Sequence, residues 1–204
     1  HVNVGTANTI AGLMNAARDN TPILLAAGRT PVTESGHHGS RNVGIHWAQE
    51  NFDQAAIVRE HVKWDYELRE GQPVDSIVGR ALDIAMSEPR GPVYLTLPRE
   101  VLGNPALPLG ATKRDRALGN VAAVPSVEAL EKAADMIAAA ENPLIITSGA
   151  ARNHGAFHAL GKLANTHAIA VAAGQQQSIA TSNPMNLGPA SPATLKAADV
   201  IVVI

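Results

Sequence analysis

Short apolar runs alternate with stretches of helical periodicity along this chain. Runs of five to seven residues with little charge are typical of buried strands in a parallel sheet; they are ILLAAG (23–28), VYLTL (93–97), PLIITSG (143–149), AIAVAAG (168–174) and DVIVVI (199–204). VKWDYEL (62–68) alternates apolar and polar residues and predicts a half-exposed strand. HVNV at the start predicts the second half of another strand, followed by a turn at Gly5–Asn8.

Apolar residues recur at helical spacing between these runs and predict four amphipathic helices. Asn8 and Ser126 are residue types that favour helix N-caps, so we expect helices to begin after them. The four predicted apolar faces are Ile10, Leu13, Met14 and Ala17; Ile77, Val78, Ala81, Leu82 and Ala85; Val127, Leu130, Ala133, Ala134 and Ile137; and Phe157, Leu160 and Leu163. Shorter helices are predicted near Gln49–Ala56 and over Pro192–Ala198.

Strands that alternate with helices form parallel sheets with right-handed crossovers. We therefore predict an α/β fold with two three-layer α/β/α units and largely parallel sheets. PRGPVYLTLPREV (89–101) is interpreted as the end of the first unit, because Pro98 cannot donate to a strand ladder. The expected domains are 1–101 and 126–204, joined by a linker over 102–125 that is rich in Gly, Pro, Asn and Ala.

Composition narrows the class of protein. The formal charge is −2 with no basic tract, which argues against a nucleic-acid partner. The chain has no cysteine, so disulfides and thiolate metal sites are excluded. No apolar run approaches 18 residues, and no signal peptide is evident, so we expect a cytoplasmic protein without a membrane partner. Because residue 1 is His and the last strand stops without a turn, we interpret the chain as an internal fragment, the alternative being a complete small protein.

Ligands of open parallel sheets bind beyond the carboxyl ends of the strands, which selects the turns that follow them. These turns are Gly5–Asn8, Gly28–Gln49, Gly149–His154 and Gly174–Ser182. His1, at the end of the first predicted strand, is a candidate for general acid/base catalysis. The alternative is a structural histidine. The turn at Gly5–Asn8 matches no phosphate-binding motif, so an ordinary strand-to-helix turn remains open there.

For several other polar residues, the sequence gives weaker evidence of a functional role. His37 and His38 lie in a long Gly- and Ser-containing loop where solvated side chains are common. His154 and His158 are four residues apart but lack the Glu of an HExxH motif, which argues against a zinc site. Glu50 is either a general acid/base or an exposed carboxylate on a helix. The residues alone therefore do not name a reaction, and no metal ligands are assigned.

Taken in order, these motifs resemble the thiamine-diphosphate-dependent decarboxylase and acetolactate synthase family. GTANTIAGLMNAARDNTPILLAAG (5–28) resembles the turn, helix and strand of that family's pyrimidine-binding domain. HWAQENFDQ (46–54) lies where acetolactate synthases have a Phe-Gln-Glu motif, and VKWDYEL and RGPVYLTLPREV resemble the domain's last strands. From Pro125 onward the chain is similar to the family's central domain.

The resemblance implies roles for five residues. His1 matches an active-site histidine of benzoylformate decarboxylases, which share the arrangement of His, three residues and Gly-Thr-x-Asn. Gly5, Thr6 and Asn8 match the segment near the cofactor's pyrimidine ring, and Gln49 matches the Gln near the substrate channel. Acetolactate synthases have no His at the first of these positions, and Ala48 stands where they have Phe.

The implied function is that of a thiamine-diphosphate-dependent 2-oxo acid decarboxylase or carboligase, with thiamine diphosphate and Mg²⁺ as cofactors of a full-length parent. The resemblance places the activating glutamate upstream and the Mg²⁺ ligands downstream, so we expect this fragment to be inactive by itself. It implies a homodimeric or homotetrameric parent, and we do not assign FAD. The alternatives are a benzoylformate-type decarboxylase and a non-catalytic binding or assembly module.

Overall fold

The computed structural model describes residues 1–105, 124–174 and 176–204. These residues form two units, His1–Ala123 and Val124–Ile204. Each unit contains a three-stranded sheet in which both strand pairs are parallel. The predicted α/β class with parallel sheets is therefore confirmed. Most of the segment interpreted as a linker, 102–125, lies outside the described residues.

The sheet of the first unit has its sequence-last strand in the middle. Strand β3 (Val93–Pro98) lies between β1 (Leu24–Arg29) and β2 (Trp64–Glu67). Its first four residues, Val93 to Thr96, are all buried. Such complete burial is what an uncharged run of β-prone residues predicts for a central strand. β2 is half-buried along its length, as its polar and apolar alternation indicates.

Helices cover both faces of this sheet. The described helices of the unit are α1 (Val2–Asn8), α2 (Ile10–Arg18), α3 (Ile45–Ala48), α4 (Val74–Met86) and α5 (Arg99–Gly103). On one face, Ile77, Ala81 and Ala85 of α4 pack with Val93 and Leu95. On the other face, the buried cluster consists of Leu13 of α2, Ala55, Val58 and Tyr94. Successive residues of β3 thus point to opposite helical layers, which gives this unit its three layers.

In the second unit, β4 (Pro143–Thr147) lies between β5 (Ala170–Ala173) and β6 (Val200–Val203). Its helices are α6 (Val127–Ala139), α7 (His154–His167) and α8 (Pro192–Ala197). Leu160 and Ala164 of α7 pack on Ile145 and Val171. The Ser126 side chain accepts a hydrogen bond from the amide of Ala129 at 3.2 Å, so the predicted N-cap of α6 is confirmed.

The N-terminal segment differs from its prediction. Val2–Asn8 is a helix, so the expected strand at Val2–Val4 and the expected turn at Gly5–Asn8 are wrong, and Asn8 ends a helix rather than capping the next. The Gly5 amide donates to the His1 carbonyl at 2.8 Å, which closes the first helical turn. The hydroxyl of Thr6 donates to the Val2 carbonyl at 2.7 Å. These local bonds outweigh the β preference of the two valines.

Two further predictions need correction. The helix expected at Gln49–Ala56 is absent; α3 ends at Ala48, and a short 3₁₀ turn follows at Ala55–Ile57. Several members of the predicted apolar faces are exposed, namely Met14, Leu82, Val127, Leu130 and Leu163. None of the helices in the described residues combines the length and apolar content that crossing a bilayer requires.

Candidate active site

A buried chain of hydrogen bonds fixes α1 near the carboxyl end of β1. The hydroxyl of Tyr94 lies 2.9 Å from that of Thr6 and accepts from the Gln54 amide at 2.8 Å. The same Gln54 nitrogen donates to the Gly28 carbonyl at 2.9 Å. Tyr94, Thr6 and Gln54 are each at most 2% exposed. Because buried polar groups keep their partners, this chain holds α1, β3 and the end of β1 in one arrangement.

An ion pair lies at the same carboxyl edge. Nη1 of Arg29, the last residue of β1, contacts both carboxylate oxygens of Glu67 at 2.7 and 2.8 Å. Nη2 of Arg29 donates to the backbone carbonyl of Asn51 at 3.4 Å. The side-chain oxygen of Asn51 accepts from the side-chain amide of Asn3 in α1. The ends of β1 and β2 are thereby tied to the N-terminal part of α1.

Two buried atoms of this edge have no hydrogen-bond partner among the described residues. They are Nε of Arg29, a donor, and Oε1 of Gln54, an acceptor. An unsatisfied buried polar atom costs about 1–3 kcal/mol, so such atoms are expected to meet water or a ligand.

The structure brings three of the predicted site residues onto one face of α1. His1, Gly5 and Asn8 are spaced four and three residues apart, which aligns them along a helix. His1 and Asn8 are exposed, and a Cβ added to Gly5 would lie 3.9 Å from Cβ of His1. Gly5 therefore leaves open space beside the histidine. We call His1, Gly5 and Asn8 the open α1 face.

The structure gives His1 and Thr6 different surroundings. His1 lies at the N-terminal end of α1, and its acid/base role stays a prediction. Thr6 points away from the open α1 face into the buried hydrogen-bond chain, where its hydroxyl bonds with the Val2 carbonyl and the Tyr94 hydroxyl. It is therefore a positioning residue for α1.

Gln49 is half-buried at the end of α3, whereas Gln54 is the glutamine that is enclosed at the carboxyl edge. Sequence reasoning missed Gln54, Tyr94 and the pair of Arg29 with Glu67. The sequence did point to the segment that contains Gln54, because Gln54 is the last residue of HWAQENFDQ, the segment in which Gln49 was predicted. The phenol of Tyr94 has no such signal, since it lies in an apolar run that predicts only packing.

The long loop after β1 is held in place by charged groups. Arg41 is buried; it contacts the carboxylates of Glu34 and Glu50, and its guanidinium lies 5.5 Å from the centre of the Trp47 ring. Glu50 is thus engaged in an ion pair, and it follows α3 instead of lying within a helix.

Glu100 fastens the start of the same loop. One carboxylate oxygen accepts from the amides of Val32 and Thr33 at 2.6 and 2.9 Å. Burial alone would raise the pKa of Glu100, but the hydrogen bonds from Thr33 and Val32 outweigh that effect and hold this pKa below its usual range. A Cβ added to Gly39 would lie only 2.8 Å from Cα of Glu100, so the close approach requires glycine there.

The other histidines of this loop have structural surroundings. Nδ1 of His37 accepts from the amide of Gly39 at 3.0 Å, and its Nε2 lies 3.1 Å from Oδ1 of Asn104. His38 is exposed. Within residues 1–105, 124–174 and 176–204, no three His, Asp or Glu side chains converge on a point where they could hold a metal ion.

In the second unit, the turn after β4 is closed by the protein itself. Gly149 has φ +77°, a conformation that favours glycine. The amides that follow it are already bonded: that of Ala150 donates to the Ser178 hydroxyl at 3.2 Å, and that of Ala151 to the Gln177 carbonyl at 3.1 Å. Gln175, part of the loop noted in the sequence, lies outside the described residues. These amides do not form an open cradle for a phosphate.

Comparisons with known proteins match this chain to thiamine-diphosphate-dependent enzymes. The family model for the thiamine pyrophosphate enzyme central domain matches residues 130–204. Benzoylformate decarboxylase from Pseudomonas aeruginosa is 26% identical over 146 residues, which cover 72% of this chain and 26% of that enzyme. The mitochondrial acetolactate synthase catalytic subunit of Saccharomyces cerevisiae is 25% identical over 158 residues, 74% of this chain and 22% of its own length.

Solved structures agree along the whole chain. A structure described as a thiamin diphosphate-dependent enzyme from Mycobacterium smegmatis is 27% identical with a TM-score of 0.78, covering 100% of this chain and 39% of that one. A thiamine diphosphate-dependent 4-hydroxybenzoylformate decarboxylase from Rhodococcus jostii RHA1, 21% identical with a TM-score of 0.81 and the same coverage, shares the fold. The chain spans about a quarter of the length of the curated relatives it matches.

Proposed function

We propose, from the confirmed resemblance of this chain to thiamine-diphosphate-dependent enzymes, that it is part of a 2-oxo acid decarboxylase or carboligase. The observation that supports this proposal best is the open α1 face. A histidine, a glycine and an asparagine lie together on an exposed helix face that is anchored at the carboxyl edge of a parallel sheet. This edge is where ligands of such sheets bind.

Each residue of the face has a distinct task in the proposed enzyme. His1, exposed at the start of α1, accepts or delivers a proton at the reacting carbon. Gly5 leaves room for the flat ring of the cofactor beside His1, and Asn8 offers a side-chain amide one turn further along. Thr6 holds the helix in place through Tyr94. Gln49 lines the approach of the substrate.

The imidazole of His1 and the side-chain amide of Asn8 offer hydrogen-bond donors and acceptors on the open α1 face, so this face fits a cofactor ring that carries both kinds of group. Thiamine diphosphate, when bound, supplies the electron sink for loss of carbon dioxide from a 2-oxo acid. We assign Mg²⁺ to residues outside this chain and do not assign FAD. We further propose that the chain alone is inactive and that its full-length parent is a cytoplasmic homodimer or homotetramer.

The test is product analysis of the whole protein with two substrates. The carboligase proposal expects acetolactate from pyruvate, whereas a benzoylformate-type decarboxylase would release benzaldehyde from benzoylformate. His1 favours the second assignment, because a group that can deliver a proton releases the aldehyde product. Formation of neither product from these substrates, with thiamine diphosphate and Mg²⁺ present, would contradict the proposal.

Replacing the histidine tests its role separately. In the whole protein, His1→Ala should slow the proton-transfer step by about 10²–10⁴-fold if the imidazole is a general acid or base. His61→Ala, at a half-buried position in the same unit, is the matched control and should leave turnover unchanged. An unaltered rate in His1→Ala would return His1 to a structural role.

A further inference from the structure

Two histidines outside the proposed active site converge at the start of α7. His154 and His158 are one helical turn apart, and their Nε2 atoms lie 3.1 Å from each other. Their ring centres are 4.3 Å apart, and both side chains are exposed. The Phe157 ring packs nearly perpendicular to that of His158, with 5.5 Å between the ring centres. The sequence pattern argues against a zinc site only because the motif lacks a Glu.

We propose that His154 and His158 form a two-histidine chelate for a divalent transition-metal ion such as Ni²⁺ or Zn²⁺. Metal–nitrogen bonds of imidazole measure about 2.0–2.1 Å, so two such bonds at 90–109° separate their nitrogens by about 2.9–3.4 Å. The observed 3.1 Å falls within this range. The two Nε2 atoms therefore already have the separation that a chelated metal ion requires, and the side chains need little ordering on binding.

The protonation states are compatible with this role. Without metal, the 3.1 Å separation of the two Nε2 atoms allows a hydrogen bond in which either ring is the donor, depending on its tautomer. With both protons on Nδ1, each ring presents an Nε2 lone pair to the ion, so the neutral pair needs no proton release. No third His, Asp or Glu of the described residues joins the two rings, and water completes the coordination shell.

The residues around His154 and His158 indicate which cations the pair would bind. Lys162 lies one turn after His158 on α7, and Arg152 precedes His154 by two residues. Positive charge and the N-terminal end of a helix dipole disfavour ions that are held mainly by electrostatic attraction. Mg²⁺ and Ca²⁺ also prefer oxygen ligands, whereas imidazole suits Ni²⁺, Cu²⁺ and Zn²⁺. The site should therefore bind Ni²⁺ or Zn²⁺ and ignore Mg²⁺.

Calorimetric titration of this chain with Ni²⁺ at pH 7.5 tests the inference, with variants that separate the pair from the other histidines. The double substitution His158→Ala with Ala159→His keeps the histidine count but turns the second ring about 100° around the helix. Chelation makes the second bond intramolecular, so this variant should bind at the site about 10²-fold more weakly. His167→Ala, at the far end of α7, should match the parent chain.

One further measurement checks that the double variant keeps its fold. Circular dichroism of the double variant should be unchanged, because both positions are exposed. Ni²⁺ affinity that is equal in the parent chain and the double variant, or a loss of the same size in His167→Ala, would overturn the proposal.

Discussion

At the scale of single residues, the hydroxyl of Tyr94 is the polar atom on which the proposed site depends most. It is fully buried in the centre of the sheet, yet it serves both Thr6 of α1 and Gln54 of the neighbouring loop. A phenol in such a position is retained for its hydrogen bonds as well as for its packing, because its removal leaves other buried polar groups with fewer partners.

Tyr94→Phe should therefore lower the free energy of unfolding of the first unit by about 1–3 kcal/mol. Urea unfolding followed by tryptophan fluorescence measures this change, since both tryptophans lie in the first unit. Tyr66→Phe is the matched control, because the Tyr66 hydroxyl accepts one bond from Gln72 and its ring is half-buried. An equal decrease in the free energy of unfolding in the two variants would show that the buried hydrogen-bond chain contributes no more to stability than the half-buried bond of Tyr66.

At the scale of elements, most strands follow from the sequence alone. β3 and β4 are short, uncharged and β-prone, and each is the central strand of its sheet. α1 could not be predicted in the same way, because HVNV alternates β-branched and polar residues over only four positions. Its turns are closed by local hydrogen bonds, but its position on the sheet is fixed by a contact with Tyr94, 88 residues away, which no local pattern reveals. Placing His1, Gly5 and Asn8 on one face required that helix.

The contact between the start of β4 and β6 gives an element-scale prediction. The carboxylate of Asp199 accepts from the amides of Glu141 and Asn142 at 2.7 and 3.0 Å. The hydrogen bond from the Glu141 amide is the largest cause that holds the pKa of Asp199 below its usual range. A carboxyl whose pKa is lower in the folded than in the unfolded chain stabilises the fold above its unfolded pKa of about 4. That contribution is lost as the pH falls through the folded pKa.

Asp199→Asn should consequently reduce the hydrogen-exchange protection of the Glu141 and Asn142 amides and of β6 at pH 6. The difference from the parent chain should shrink as the pH falls through the lowered pKa of the folded parent, where its carboxylate becomes protonated. Asp135→Asn, at an exposed position of α6, should leave protection unchanged over the same pH range. A difference in Asp199→Asn that is independent of pH would contradict the role of the carboxylate charge.

At the scale of the whole molecule, the proposed function requires that a face open in this chain be occupied in the complete enzyme. Gly5 offers a way to fill that face without disturbing the fold. Its alanine variant places a methyl group in ordinary contact with His1, and in a helix alanine is favoured over glycine by up to about 1 kcal/mol. Gly12 in α2 provides the control, because a Cβ there meets nothing within 4 Å.

Gly5→Ala and Gly12→Ala should accordingly be at least as stable as the parent, and only the first should weaken the binding of thiamine diphosphate. A methyl group inserted into a close contact costs about 1–3 kcal/mol, which corresponds to a loss in affinity of about 5- to 150-fold. The measurement is a titration of the whole protein with thiamine diphosphate in the presence of Mg²⁺. Equal affinities in the two variants would mean that the cofactor does not lie against α1, because the added methyl group is the same in both.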